Sequence, residues 1–104
     1  MNINDYSKGW IVGNFHNSLI KSKDIEIAVK KYKAGDKDKT HHHKIATEYT
    51  IIISGIVKMM GKIWKTDDIV IIEPNTKNTF ECIEDACLLV IKTPSVIDDK
   101  YVEP

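Results

Sequence analysis

Apolar and polar residues alternate along the segment from Asp24 to Lys33. The apolar members stand at every second position, with mostly polar residues between them: Ile25, Ile27 and Val29 against Glu26, Ala28 and Lys30. Side chains two residues apart project to the same face of an extended strand. The alternation therefore predicts a strand that is half buried, on its apolar face.

The other apolar runs are also short, and turn-forming residues separate them. We interpret Trp10 to Val12 as an irregular arm or edge strand, Ala34 to Lys39 as a polar turn, and the tail from Thr93 as irregular. The remaining runs predict a hairpin at Ser54-Gly55 with Gly61 to Trp64 continuing its return strand, a turn at Lys65 to Asp68, a strand at Ile69 to Ile72, and a hairpin of Phe80 to Ile83 and Cys87 to Ile91. No stretch keeps a helical period, so the pattern predicts an all-β sandwich or barrel.

Composition limits the size and the partners of this fold. The chain has 104 residues, 42% of them hydrophobic, which is enough for one core and too little for two. Lys+Arg and Asp+Glu both number 15, so no net charge attracts nucleic acid or an anionic membrane. No apolar run approaches the roughly 20 residues of a membrane helix, and the polar start MNINDYSKG lacks a signal-peptide apolar region. We therefore expect a cytoplasmic protein that binds neither nucleic acid nor membranes.

We assign no functional role to the lysines or to the two cysteines. All fifteen basic residues are lysine, and the lysines between Lys30 and Lys39 are expected to form a solvated face. Cys82 and Cys87 are too few for a disulfide framework, and we expect free thiols even if a hairpin brings them side by side.

The candidate chemistry lies in the sequence THHHKIATEYTIIIS, residues 40 to 54. His41 and His43 are two apart, so both imidazoles project to one face of a strand, whereas His42 points away. Glu48 can join them only if the chain turns near Lys44 to Thr47 and returns as a neighbouring strand. Two imidazoles and one carboxylate with open coordination positions suit a divalent transition metal. The alternative is a solvated histidine patch with incidental metal affinity.

The spacing of these residues resembles the first motif of the cupin superfamily. Gly35, five residues, His41, one residue, His43, four residues, Glu48, six residues and Gly55 match that motif at every fixed position. The segment KTDDIVIIEPNTKNTF, residues 65 to 80, keeps the strand, turn and strand layout of the second motif. Several residues of this segment differ from those of the motif. In particular, Asn78 stands where the motif has its fourth ligand, a histidine.

The resemblance implies a single-domain jelly-roll β-barrel, with an N-terminal arm over residues 1 to 23, the barrel over 24 to 92 and a C-terminal tail over 93 to 104. It also implies a metal, Fe, Mn, Ni or Zn, held inside the barrel by His41, His43 and Glu48, with Asn78 as a fourth position or a substrate contact. Because open sheet edges invite pairing, we expect a homodimer.

Two kinds of function remain open at this point. The first is a metal-dependent enzyme acting on a small polar substrate such as a sugar or sugar acid, of isomerase or dioxygenase type. The second is a non-catalytic small-molecule-binding or regulatory module. A fold of this kind does not imply one reaction, so the sequence leaves both open.

Overall fold

A computed structural model describes all 104 residues as an all-β protein. Two short 3-10 turns, Ile3–Asp5 and Ser7–Gly9, precede nine strands: β1 (Trp10–Gly13), β2 (Ile20–Lys21), β3 (Glu26–Tyr32), β4 (Lys37–His43), β5 (Thr47–Met59), β6 (Lys62–Lys65), β7 (Ile69–Ile72), β8 (Asn78–Thr93) and β9 (Lys100–Val102). None of the helical turns is long or apolar enough to cross a membrane.

The two longest strands, β5 and β8, form the centre of the sheet. They pair antiparallel along almost their whole length, from Thr47 opposite Thr93 to Met59 opposite Phe80. The free edge of β8 carries β3 and then β4, and the free edge of β5 carries β7 and β6. β1 and β2 extend the sheet beyond β3, and β9 extends it beyond β4. The sheet folds around one core without closing into a complete barrel.

The predicted hairpin at Ser54-Gly55 is wrong, because β5 runs straight through this dipeptide. The pairing with β8 shifts register there, and the buried positions change from Thr50 and Ile52 to Val57 and Met59. An irregularity that adds one residue moves the following side chains to the other face. Gly55 is needed because its φ is +92° and an added Cβ would clash with the carbonyl oxygen of Asp85.

The actual turn lies at Met60 and Gly61, between β5 and β6. Met59 is the partner of Lys62, so the turn has two residues, and both have positive φ, 51° and 74°. Two central residues of positive φ are typical of the hairpin turn whose twist matches that of the strands. The strand Ile69 to Ile72 is confirmed as β7.

The predicted hairpin around Glu84-Asp85 is also wrong, since β8 continues without a turn from Asn78 to Thr93. Cys82 and Cys87 consequently lie on one strand rather than on facing strands, and both are free thiols. The predicted irregular tail contains β9, which pairs with the second half of β4.

In β3 the residues that face the interior are not the apolar ones that the alternation suggests. Glu26 and Ala28 are the buried residues, whereas Ile27 and Val29 are half-buried on the other face. This reversal arises because the inner face of β3 borders a polar cavity beside the apolar core. The core itself is formed by eleven residues, most of them from β5, β7 and β8: Ala28, Ile52, Val57, Met59, Val70, Ile72, Phe80, Cys82, Ala86, Leu88 and Val90.

Candidate metal site and ligand cavity

One cavity of about 540 Å³ opens beside the core and contains every residue that the sequence predicts to bind metal. His41, His43, Glu48 and Asn78 line it, and each has less than a tenth of its surface exposed. Buried polar side chains are uncommon unless they have partners. These four polar side chains therefore form the candidate site, inside the cavity.

The two histidines reach the cavity from β4. His41 and His43 are two apart on that strand, and their ring centroids are 5.4 Å apart in an edge-to-face arrangement. Between them His42 points out of the cavity and stacks on Tyr101, at 5.5 Å between ring centroids.

Hydrogen bonds fix which imidazole nitrogens carry lone pairs into the cavity. The Nδ1 of His41 donates to the carbonyl oxygen of Lys39 at 3.0 Å, so a metal would have to bind at its Nε2. The Nε2 of His43 accepts from the Lys92 ammonium at 3.3 Å. Burial, together with the charge of Lys92, lowers the pKa of His43 to about 4, so this imidazole is neutral at pH 7. The ring of His43 thus presents the neutral form that metals bind.

Glu48 enters the cavity from β5, but not as part of a neighbouring strand. β4 pairs with β8 and β9 and not with β5, so the expected return of the chain beside the histidines is wrong. Thr50 donates its hydroxyl proton to Oε2 of Glu48 at 2.9 Å. In this arrangement no three His, Cys, Asp or Glu side chains gather closely enough to hold a metal ion.

Asn78 at the start of β8 lies directly across the ladder from His41. Its side-chain oxygen is buried and has no hydrogen-bond partner, which costs free energy unless another group binds there. The types of donor suit a divalent ion, because two imidazoles, a carboxylate and an unpaired amide oxygen line one cavity, but a metal would require Glu48 to move toward the histidines.

Asp99 holds the loop that connects the two parts of the site. Its carboxylate accepts hydrogen bonds from the backbone amides of Lys44, Ile45 and Ala46, at 3.1, 3.2 and 2.9 Å. Burial alone would raise the pKa of Asp99, but these amides outweigh that effect and hold the pKa below its ordinary value. Sequence reasoning missed this role because Asp99 lies in the tail, 51 residues beyond Glu48.

The inner face of β3 contributes residues that sequence reasoning also missed. Lys30, interpreted as part of a solvated face, instead lines the cavity together with Tyr32 and with Lys92 of β8. Burial raises the pKa of Tyr32 to about 12, so its hydroxyl keeps its proton at neutral pH. The available signal was the period of two itself, since Glu26, Ala28, Lys30 and Tyr32 share one face.

Comparisons with known proteins identify the fold. No protein-family model matches the chain, and no curated protein matches its sequence. A Klebsiella pneumoniae protein with a double-stranded β-helix domain is similar in structure at a TM-score of 0.73 and 17% identity, over 98% of this chain and 88% of that one. KdgF from Halomonas sp. is similar at a TM-score of 0.67 and 17% identity, over 74% of each chain.

Longer proteins share the fold as well. The DMSP lyase DddQ from Ruegeria pomeroyi is similar at a TM-score of 0.71 and 14% identity, over 89% of this chain and 49% of its own. Several other similar structures are RmlC-like cupins, among them one from Ralstonia eutropha. The predicted cupin resemblance is confirmed at the level of the fold. At these identities the reaction does not follow from the likeness.

Proposed function

We propose that this cupin-fold chain binds one divalent transition metal through His41, His43 and Glu48, with Asn78 beside the open coordination positions. The observation that carries the proposal is that all four side chains are buried in one cavity, where the amide oxygen of Asn78 has no partner. The metal is Fe, Mn, Ni or Zn, because imidazole and carboxylate ligands suit these ions.

The proposed function is enzymatic, acting on a small polar substrate such as a sugar or sugar acid. A metal at this position would polarise a carbonyl or hydroxyl oxygen of the substrate, which suits an isomerase or, with iron, a dioxygenase. The volume and polar lining of the cavity support a small ligand. Catalysis is also supported by the presence of DMSP lyases among proteins of this fold.

A second candidate is a non-catalytic binding or regulatory module. It is favoured by the Lys92 ammonium, which stands 3.3 Å from Nε2 of His43, and by the separation of Glu48 from the histidines. Exchangeable water on a bound metal favours catalysis, whereas a closed protein shell favours a structural or binding role. Water-exchange relaxation measured on manganese-loaded protein therefore separates the two candidates.

Metal content measured on protein purified without a tag tests the metal proposal. We expect about one divalent ion per chain in the wild type, and a large loss in both His41→Ala and Glu48→Ala. His42→Ala is the matched control, because His42 is the histidine that lies outside the cavity. An equal loss in all three variants, or no loss in any, would show that the histidines act as a surface patch.

We also propose that the protein is a cytoplasmic homodimer. The outer faces of β5 and β7 form an apolar surface without a charged side chain, here called the isoleucine face: Tyr49, Ile51, Ile53, Ile69 and Ile71. Ile53, Ile69 and Ile71 are 50 to 59% exposed. Contiguous exposed apolar surface of this kind marks interfaces, and a two-fold axis would place it on an identical surface.

A further inference from the structure

We propose that the cavity contains an anion subsite, formed by Lys30 and Lys92 around Trp10, that binds the carboxylate of a small organic acid. The proposal rests on the proposed function in that it names the class of ligand in the same cavity. It does not depend on the metal, since neither lysine belongs to the proposed ligand set.

Two ammonium groups from different strands lie against the same aromatic ring. Lys30 lies on β3 and Lys92 on β8, which pair antiparallel, and both side chains line the cavity. The Nζ atoms of both lysines lie 4.9 Å from the centroid of the Trp10 ring. An aromatic face attracts a cation, so the Trp10 ring favours the presence of both ammonium groups in this part of the cavity despite their mutual repulsion.

Neither ammonium is neutralised by a carboxylate within 4 Å. The two ion pairs of the protein are Lys77 with Glu103 and Lys100 with Asp38. The only hydrogen-bond partner of the Lys92 ammonium is the uncharged Nε2 of His43.

The acidic residues of the cavity that are nearest in the ladder have other partners. Glu26 lies opposite Lys92 on β3, but its Oε2 accepts from the Ser95 hydroxyl at 2.9 Å and from the backbone amide of Val96 at 3.1 Å. Glu48 lies opposite Lys92 on β5, and its Oε2 accepts from Thr50. Both lysine side chains therefore line the cavity without a carboxylate within ion-pair distance.

The electrostatic surroundings of Lys30 agree with this reading. Burial is the main cause that lowers the pKa of Lys30 to about 8, with contributions from Lys8, Lys92 and Lys100 that Asp38 opposes. A bound anion would relieve this repulsion, because an opposite charge at close range favours the charged form of the amine.

The surroundings of the lysines favour an organic acid over a simple inorganic ion. Leu88, Val90 and Phe15 provide apolar wall in the same cavity, which suits the carbon body of a ligand. A small molecule with one carboxylate and a compact body matches both parts.

Fluorescence of Trp10 reports directly on the subsite. In a Trp64→Phe background Trp10 is the single tryptophan, and its emission is followed while acetate, pyruvate or D-galacturonate is added at constant ionic strength. D-galactose is the neutral counterpart of galacturonate. We expect saturable binding of at least one carboxylate and none of galactose over the same concentration range.

Two variants made in the same background, Lys30→Gln and Lys31→Gln, measure what the Lys30 ammonium contributes to carboxylate binding. Lys31 is the matched control because it is the exposed neighbour of Lys30 on β3. Loss of a charge-assisted contact should weaken carboxylate binding about tenfold in Lys30→Gln, and Lys31→Gln should stay within twofold of the parent. Equal affinity in the two variants, equal binding of galactose, or no binding of any of the three carboxylates would overturn the proposal.

Metal content measured on the same samples separates this proposal from the metal proposal. If the purified protein contains no metal but still binds carboxylates in a way that depends on Lys30, the anion subsite stands and the metal proposal is refuted. If Lys30→Gln binds metal as the wild type does and binds carboxylates as tightly as Lys31→Gln, the metal proposal stands and the anion subsite is refuted.

Discussion

Replacing Asp99 by asparagine should destabilise the protein more than any other single change in its C-terminal tail. The carboxylate of Asp99 accepts three backbone amides from the loop between β4 and β5. Oδ2 accepts from Ile45 and Ala46, and Oδ1 accepts from Lys44. Asparagine has nearly the same shape, but it offers one acceptor oxygen and turns an amide group toward the remaining donor.

The magnitude follows from counting these bonds. A hydrogen bond to a charged group is worth roughly 1.5 to 3 kcal/mol and a neutral one roughly 0.5 to 1.5 kcal/mol. The variant weakens two bonds by about 1 kcal/mol each and loses a third worth about 2 kcal/mol. We therefore expect the free energy of unfolding to fall by about 3 to 4 kcal/mol at pH 7, a large share of the total of an ordinary domain, which is about 5 to 15 kcal/mol.

The pH dependence of this difference has a definite sign. The pKa of Asp99 lies below its ordinary value of 3.8, so the folded state favours the ionised carboxylate. Its contribution is fully present above pH 3.8 and is lost as the pH falls through the folded pKa. The difference between wild type and Asp99→Asn should thus be constant from pH 7 to pH 5 and shrink below about pH 3.8.

Urea unfolding at several pH values measures this difference. Asp98→Asn is the matched control, because it removes the same charge from the adjacent exposed residue, and asparagine tolerates the positive φ of 60° at that position. Equal stability of the two variants at pH 7 would refute the reasoning, as would a difference that grows in acid.

Three further predictions concern two glycines of positive φ, Asn78 and the isoleucine face. Gly61→Ala should lower stability by about 1 to 2 kcal/mol because its φ is positive, and Gly55→Ala by about 1 to 3 kcal/mol more because its Cβ also meets backbone; equal melting temperatures would contradict this. Asn78→His should tighten metal binding and reduce turnover, and Asn78→Ala should leave metal content nearly unchanged, whereas loss of metal in the alanine variant would make Asn78 a true ligand. Ile71→Lys should give a monomer by light scattering while Ile20→Lys, on β2, stays dimeric; a monomeric wild type across micromolar concentrations would remove the dimer.

The strands were predictable where alternation or an apolar run is local. Ile69 to Ile72 and the strand around Ala28 follow from such patterns. The register shift at Ser54-Gly55 was not predictable, because a bulge and a hairpin can both use a glycine of positive φ. Only the approach of Asp85 from a distant strand decides between them.

The candidate site was predictable in its residues and not in its assembly. The spacing of His41 and His43 on one strand is a local property, and their shared face follows from it. The position of Glu48 depends on pairing of β5 with β8 and β7, which no local pattern encodes. Lys30 and Lys92 were missed because a lysine on a half-buried strand has the same sequence signal whether it faces solvent or a polar cavity.

Anomalous X-ray diffraction from crystals grown with Mn²⁺ or Zn²⁺ tests the central claim most directly. We predict one anomalous peak inside the cavity, about 2.0 to 2.3 Å from a ring nitrogen of His41, a ring nitrogen of His43 and a carboxylate oxygen of Glu48. That position requires Glu48 to approach the histidines and Lys92 to withdraw from Nε2 of His43. A peak on the outer ring of His42, or a cavity that holds no metal at saturating concentration, would contradict the account.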